Sequence, residues 1–137
     1  MWKYYALLSA FFAALTAILA KVGVKGINGD IATAIRTVVV LVVAWGIVAV
    51  TGDMRELRAI SRANLLFLVL SGIATGLSWI FYFKALETGP VSKVAPVDKL
   101  SVAIAIGLAF LFLNEPVEPK VLLGAALITA GTIVIIL

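Results

Sequence analysis

Apolar residues fill the chain in long stretches that short polar segments separate. Five such stretches, rich in Leu, Val, Ile and Ala, follow one another from Trp2 to Leu137. A bilayer core of roughly 30 Å is spanned once by a helix of about 20 apolar residues. In lipid the backbone must satisfy its own hydrogen bonds, and no two-residue alternation suggests a barrel. The pattern predicts an all-α polytopic membrane protein, a bundle of five transmembrane helices over residues 2–22, 31–50, 65–86, 91–113 and 120–137.

The segments between the stretches contain residues that end helices. The first helix is expected to be ended by Gly23, Gly26 and Asn28-Gly29, and Asp30 is expected to cap the second. Gly89-Pro90 suits the end of the third helix and the start of the fourth. The charged connection 54–62 is expected to be partly helical. Because the connections are short, residues 1–137 are predicted to form a single transmembrane domain.

The composition restricts the chemistry that this chain can carry out. Hydrophobic residues make up 64% of the chain and charged residues 13%, as in membrane proteins. With neither Cys nor His, thiolate and imidazole sites are excluded, so we expect no catalytic residue, metal or cofactor and no enzyme. The net charge of +4 comes from Lys and Arg near helix ends, as is usual beside a membrane, so we expect no nucleic-acid partner.

The basic residues that flank the helices are nearly balanced between the two sides of the membrane. The side of the amino terminus carries Lys3, Arg55, Arg58, Arg62 and Lys120. The opposite side carries Lys21, Lys25, Lys84 and Lys93, with Arg36 and Lys99 deeper in the helices. The positive-inside rule therefore gives no clear orientation, and it permits insertion both ways. The first apolar stretch, Tyr4–Ala20, is too long for a signal peptide, so we expect a retained helix in a multi-pass protein of the plasma (inner) membrane.

The fourth stretch contains an acidic and a basic residue side by side. Asp98 lies seven residues after Val91, about 10 Å along a helix. Ionisable groups at that depth are costly and mark functional sites. Adjacent helical residues point about 100° apart, so Asp98 and Lys99 are not expected to pair, whereas Ser101 shares the face of Asp98. Pro96 is expected to break the helix and free backbone carbonyls. Asp98 is then either a proton or cation site, with Lys99 as counter-charge or anion contact, or the partner of a basic residue on a neighbouring helix, with Lys99 reaching the interface.

Polar residues form a stripe along the third helix. Ser71, Thr75, Ser78 and Tyr82 are spaced by four, three and four residues, with Trp79 at the flank. The stripe is expected either to line an aqueous pathway or to pack against another helix, since Ser and Thr are common where transmembrane helices touch.

Two further features have both a structural and a functional interpretation. Arg36 lies six residues past Asp30, so its side chain either reaches the headgroups or makes a substrate or coupling contact at the mouth of a pathway. In the fifth helix small residues permit close helix contact and predict a dimer interface. These residues are Gly124, Ala126, Ala130 and Gly131.

Three segments resemble the EamA-type repeat of the drug/metabolite transporter superfamily. Tyr82-Phe83-Lys84-Ala85-Leu86 is similar to the Tyr-Phe-x-Ala-Leu signature that ends the third helix of that repeat. Leu111-Phe112-Leu113-Asn114-Glu115 resembles its Leu-Phe-Leu-Gly-Glu turn, with Asn114 in place of Gly. Gly124–Gly131 resembles Gly-Ala-x-Leu-Ile-x-Ala-Gly in its fifth helix, and Arg36 sits where such repeats often carry Arg.

The resemblance implies a transporter built from two copies of the repeat. Typical members fuse two five-helix repeats that insert in opposite orientations, whereas this chain holds one. Repeat-built transporters move one repeat against its partner around a site near the midplane. The expected function is transport of a small polar or amphipathic metabolite by alternating access in a homodimer, antiparallel or, alternatively, parallel.

Two different functions are also compatible with the sequence. One is a membrane assembly protein with Asp98 in a fixed ion pair. The second is drug export in the manner of the small multidrug exporters, which carry an acidic residue in the first helix. That acidic residue is missing from Tyr4–Ala20, so drug export of this kind is the weaker of the two.

Overall fold

The structure, a computed structural model, describes residues 1–137 apart from the side chain of Asp53. Its helices are α1 (Trp2–Gly23), α2 (Gly29–Thr51), α3 (Arg62–Thr88), α4 (Val91–Asp98), α5 (Leu100–Phe112) and α6 (Pro119–Ile136), with a 3₁₀ helix over Asp53–Ala59. Over the described residues, five segments are long and apolar enough to span a membrane: α1, α2, α3, the segment Val91–Phe112 and α6. The predicted all-α class with five membrane spans is therefore confirmed.

The start of α2 differs from the sequence-based prediction. The helix begins at Gly29, and Asn28 is its cap in an extended conformation, with φ −64° and ψ 133°. The backbone N–H of Asp30 donates to Asn28 Oδ1 at 2.7 Å. The prediction that Asp30 caps this helix was wrong, because the helix starts early enough to include Asp30 in its first turn.

The chain divides into two compact units, residues 19–88 and residues 1–18 with 89–137. We call them the α2–α3 unit and the α4–α6 unit. The predicted single domain over residues 1–137 stays a prediction.

In the α2–α3 unit, α2 packs along α3. The two helices run antiparallel, since Asp30 at the start of α2 lies beside Lys84 near the end of α3. Val24, Phe83 and Leu86 are buried, and Leu86 is completely inaccessible. The buried side chains thus gather at the end of the unit where α2 begins and α3 finishes.

In the α4–α6 unit, α6 packs against both α4 and α5. Thr132 of α6 is buried, with 3% of its surface exposed. Its single hydroxyl proton is shared between the carbonyl of Ile128 in its own helix, at 2.9 Å, and that of Pro96 in α4, at 3.2 Å. This polar contact holds α6 against α4.

Large apolar side chains point outward on both units. Phe67 is 70% exposed, and Val42 and Leu127 are each 65% exposed. Exposed apolar surface of this extent is unfavourable in water, because soluble monomers rarely expose large apolar patches. The apolar surface suits hydrocarbon, so the bilayer acts as the solvent for these faces.

Candidate functional site

The fourth membrane span is interrupted at Lys99. The backbone N–H of Lys99 donates to Pro96 O at 3.1 Å, and that of Val102 donates to Lys99 O at 3.0 Å. Both bonds connect residues three apart, which is the tighter spacing of a 3₁₀ turn. Pro96 itself lies inside α4, so the predicted break at Pro96 is shifted three residues along the chain. Proline lacks the N–H that the helix needs at its own position, and the ladder changes spacing in the turn that follows.

Asp98 and Lys99 form an ion pair at this interruption. Lys99 Nζ lies 3.2 Å from Asp98 Oδ2, and the side chains of Lys99 and Asp98 are 55% and 35% exposed, respectively. The prediction that these neighbours do not pair was wrong. It assumed a continuous helix, whereas Lys99 sits between α4 and α5 with ψ −8°, and its long side chain reaches back to Asp98. Ser101 lies in the first turn of α5 and is exposed.

Arg36 lies against aromatic rings of α3. Its guanidinium carbon is 4.3 Å from the centre of the Trp79 ring and 5.7 Å from that of Phe83. Trp79 and Phe83 are four residues apart in α3 and therefore share a helix face. A guanidinium over an aromatic ring is attracted by the negative face of the ring. Arg36 is thus held at the contact between α2 and α3.

The polar stripe of α3 is partly satisfied within its own helix. Thr75 Oγ1 donates to Ser71 O at 2.9 Å. Thr75 and Ser78 lie at more open positions of α3 than Tyr82, which is partly buried and meets Phe83 edge to face at 6.4 Å. The stripe therefore runs from an open face of α3 towards the packed end of the helix.

The predicted site residues belong to both units. The α2–α3 unit brings Arg36 together with Trp79, and the α4–α6 unit brings Asp98 together with Lys99. The role of these residues in a transport pathway stays a prediction.

Sequence reasoning missed a polar cluster at one end of the α2–α3 unit. Asp30 and Lys84 pair at 3.2 Å, Glu87 accepts a hydrogen bond from Gly29 N, and Lys21 donates to Leu86 O. A cleft of about 490 Å³ opens here, lined mainly by the connection between α1 and α2. The sequence contained a signal for this cluster: Asp30 lies at the start of the second helix and Lys84 at the end of the third, and these ends meet if the two helices are antiparallel. We call Lys21, Asp30, Lys84 and Glu87 the polar cluster.

A second cleft opens at the other end of the same unit. It has a volume of about 670 Å³ and lies between the end of α2, the 3₁₀ helix and the start of α3. Trp45, Glu56 and Asn64 are among its lining residues, and most of the others are aliphatic. Its walls therefore combine an apolar surface with a carboxylate and an amide.

The residues of the predicted dimer interface lie on α6 and are largely exposed. Ala126 and Gly131 are among the open positions, and Gly124 is partly buried. Apart from its chain neighbours and the adjacent backbone of α6, a Cβ on Gly124 or Gly131 would have no described atom within 4 Å. Both glycines thus leave space beside α6, and dimerisation through this face, which also includes Ala130, stays a prediction.

The acidic side chains are dispersed along the chain. Among the residues whose side chains are described, no three His, Cys, Asp or Glu residues come close enough together to hold a metal ion.

The spans and their exposed apolar faces define a class, the polytopic α-helical membrane proteins. Comparison with known proteins adds the family: the EamA-like transporter family matches over residues 1–137. The chain is 51% identical over 134 residues to the "uncharacterized transporter in cobO 3'region" of Sinorhizobium sp., and the match covers 98% of this chain and 95% of the relative. No solved structure matches. The chain belongs to the EamA-like transporter family, so the resemblance seen in the sequence is confirmed and the protein is a membrane transporter.

Proposed function

We propose that the protein moves a small polar or amphipathic metabolite across the plasma membrane by alternating access, as a homodimer of two copies inserted in opposite orientations. The interruption of the fourth span at Lys99 carries this proposal. Transporters built from repeats bind substrate and coupling ions at discontinuous helices near the midplane, where two repeats meet.

The ion pair gives the interruption a means of switching between two states. While Asp98 and Lys99 are paired at 3.2 Å, their charges compensate each other within the span. A proton or a cationic group on Asp98 removes that compensation and leaves Lys99 with an unpaired charge. An unpaired charge at the centre of a span costs roughly 2.5–3.5 kcal/mol on insertion scales. Protonation of Asp98 therefore favours a different arrangement around Lys99. Coupling of proton binding to a conformational change requires such a preference.

The dimer follows from the need for a second repeat. The match covers 95% of the relative, so the length of that relative accommodates one repeat of this size. The small residues of α6, Ala126, Ala130 and Gly131, permit close contact with a second copy. The balanced basic flanks allow that copy to insert in the opposite orientation.

A second candidate role for the ion pair, a purely structural one, is favoured by one observation. Asp98 already has a partner in Lys99, and a permanent ion pair of this kind serves folding alone. In that case removing the acid destabilises the protein, and the unmodified protein moves its solute without a proton.

Replacing Asp98 by Asn distinguishes the two roles of the ion pair. Proteoliposomes with a trapped pH-sensitive dye are given a panel of amines, amino acids, organic acids and polyols. We expect proton movement with at least one solute, and a loss of at least about tenfold in Asp98→Asn, because a neutral amide cannot carry the proton. Glu118→Gln, at an exposed position before α6, is the matched control and retains the flux. An unchanged flux and pH profile in Asp98→Asn removes Asp98 from the mechanism.

Single cysteines test the inverted dimer, since the chain has no Cys of its own. Ile27→Cys and Val117→Cys place a thiol in the first and the fourth connection without changing any flanking charge. A membrane-impermeant maleimide added to intact cells should label part of each population if both orientations occur. Complete labelling of one variant with none of the other contradicts the antiparallel arrangement.

A further inference from the structure

Arg36 is a cation that lies well inside α2, away from the end of the helix. It follows Gly29, the first residue of the helix, by seven residues, or about 10 Å at the helical rise. Its guanidinium contacts the Trp79 ring, five residues further into α3 than Lys84 of the polar cluster. The side chain therefore remains at the level of the aromatic rings, below the ion pair that closes the end of the unit.

The stacking leaves the hydrogen-bonding groups of Arg36 available. A ring face interacts with the face of the guanidinium, whereas the N–H donors lie in its plane and point away from its edge. Arg36 belongs to neither of the two ion pairs described above, Asp30–Lys84 and Asp98–Lys99. The aromatic contact thus orients a fork of donors that no carboxylate of the described chain occupies.

The charges within the spans favour a negatively charged ligand at this position. Asp98 and Lys99 compensate each other, which leaves Arg36 as an excess positive charge in the apolar part of the protein. An uncompensated cation inside a span is costly, and a bound anion removes that cost.

The end of the α2–α3 unit is also positive. Among the described side chains, Lys21, Lys25 and Lys84 lie there with the carboxylates of Asp30 and Glu87, three cations against two anions. Asp30 is paired with Lys84, and Glu87 accepts a hydrogen bond from Gly29 N. An excess of positive charge around a cleft raises the local concentration of anions and attracts them.

We infer that Arg36, held on the Trp79 ring, binds the carboxylate of the transported solute. The substrate is then a small organic acid or another metabolite with a carboxylate. This inference rests on the proposed transport function and names the substrate class. A carboxylate matches the guanidinium in geometry, through two parallel hydrogen bonds, and in charge, one against one. Arg36 is the recognition residue, and Trp79 is its positioning residue.

Trp79 provides the signal for a binding experiment. The chain has three Trp residues, so replacing Trp2 and Trp45 by Phe leaves Trp79 as the sole indole. This parent protein, in a non-ionic detergent without added lipid, is titrated with propionate and hexanoate, each matched by its amide. The emission of Trp79 is expected to saturate with the acids at concentrations about tenfold or more below those of the amides, because hydrogen bonds between charged groups are the stronger ones.

Variants of Arg36 test the assignment. Arg36→Gln should remove the preference for the acids, and Arg36→Lys should retain the charge but bind about tenfold more weakly, because Lys lacks the fork. Arg58→Gln removes an exposed arginine from the 3₁₀ helix and should leave the titration unchanged. If Arg36→Gln does not fold, the inference is tested by two measurements. One is the ratio of the saturating concentrations of acid and amide in the parent, and the other is the affinity of Arg36→Lys for the acids.

Three results would overturn the inference. The first is an equal response of the parent to acid and amide. The second is a preference for acids that survives in Arg36→Gln. The third is a response to phosphatidylglycerol without any to hexanoate, which identifies a site for lipid phosphate.

Transport by the same protein separates this inference from the proposed function. Counterflow of labelled hexanoate and of labelled methylamine is measured in proteoliposomes. Binding of acids without movement of either solute supports the site and refutes transport. Movement of methylamine alone, without acid binding, supports transport and refutes the carboxylate site.

Discussion

Gly29→Ala is expected to destabilise the contact between α2 and α3. A Cβ at Gly29 would lie 2.7 Å from Glu87 Oε1 and 3.3 Å from the backbone nitrogen of Lys84. One way to relieve the clash is for Glu87 to move away, which gives up its hydrogen bond to Gly29 N. The other is for the backbones of the two helices to separate slightly.

The expected cost follows from these two routes. Loss of a hydrogen bond to a charged group costs about 1.5–3 kcal/mol, and overpacking a tight contact costs about 1–3 kcal/mol. Alanine gains at most about 1 kcal/mol over glycine in helix propensity. We expect a net loss of about 1–2 kcal/mol in the free energy of unfolding.

Gly46→Ala is the matched control because it lies in the same helix. Apart from its chain neighbours and the adjacent backbone of α2, a Cβ at Gly46 would have no described atom within 4 Å, so the substitution should be neutral or stabilise by up to about 1 kcal/mol. Unfolding by SDS in mixed micelles, followed by tryptophan fluorescence, measures both free energies. In a Glu87→Ala background the cost of Gly29→Ala should fall, because the nearest atom of the clash is gone. Equal stabilities of Gly29→Ala and Gly46→Ala would refute the close approach.

Two further predictions concern contacts within one unit. Thr132→Val should cost about 0.5–1.5 kcal/mol because its hydroxyl connects α6 to Pro96 O, whereas Thr129→Val should cost less because its hydroxyl bonds Ala125 O within α6. SDS unfolding measures both, and equal costs contradict the role of the interhelical bond. Lys84→Gln should cost no more than about 1 kcal/mol, because the Asp30–Lys84 pair is about half exposed. The difference in unfolding free energy between Lys84→Gln and the unmodified protein should shrink when NaCl is raised from about 50 to about 500 mM. A salt-independent loss of stability above about 2 kcal/mol argues for a pair shielded from solvent.

The spans were predictable from the sequence because one physical length, the thickness of the bilayer, sets them. Their ends shifted by a few residues, as at Gly29, where the capping side chain belongs to Asn28 and not to Asp30. Local sequence offers several polar residues at such a boundary, and the backbone conformation decides which of them caps.

The contacts of the charged residues were less predictable. The pairing of Asp98 with Lys99 depends on the interruption after Pro96, which ideal helical geometry does not include. The position of Arg36 over Trp79 depends on the register of two antiparallel helices, and neither helix alone contains that information. The sequence indicated which residues carry charge but not which groups they meet.

Asn114, one position of the family signature, determines the backbone conformation after α5. Asn114, which stands where the EamA-type turn usually has Gly, has φ 51°, in the left-handed region, just after α5. Gly adopts this conformation without strain, and Asn is among the few other residues that tolerate it. Evolution can therefore exchange these two residues here without altering how the chain leaves α5, whereas a β-branched residue would be strained at this position.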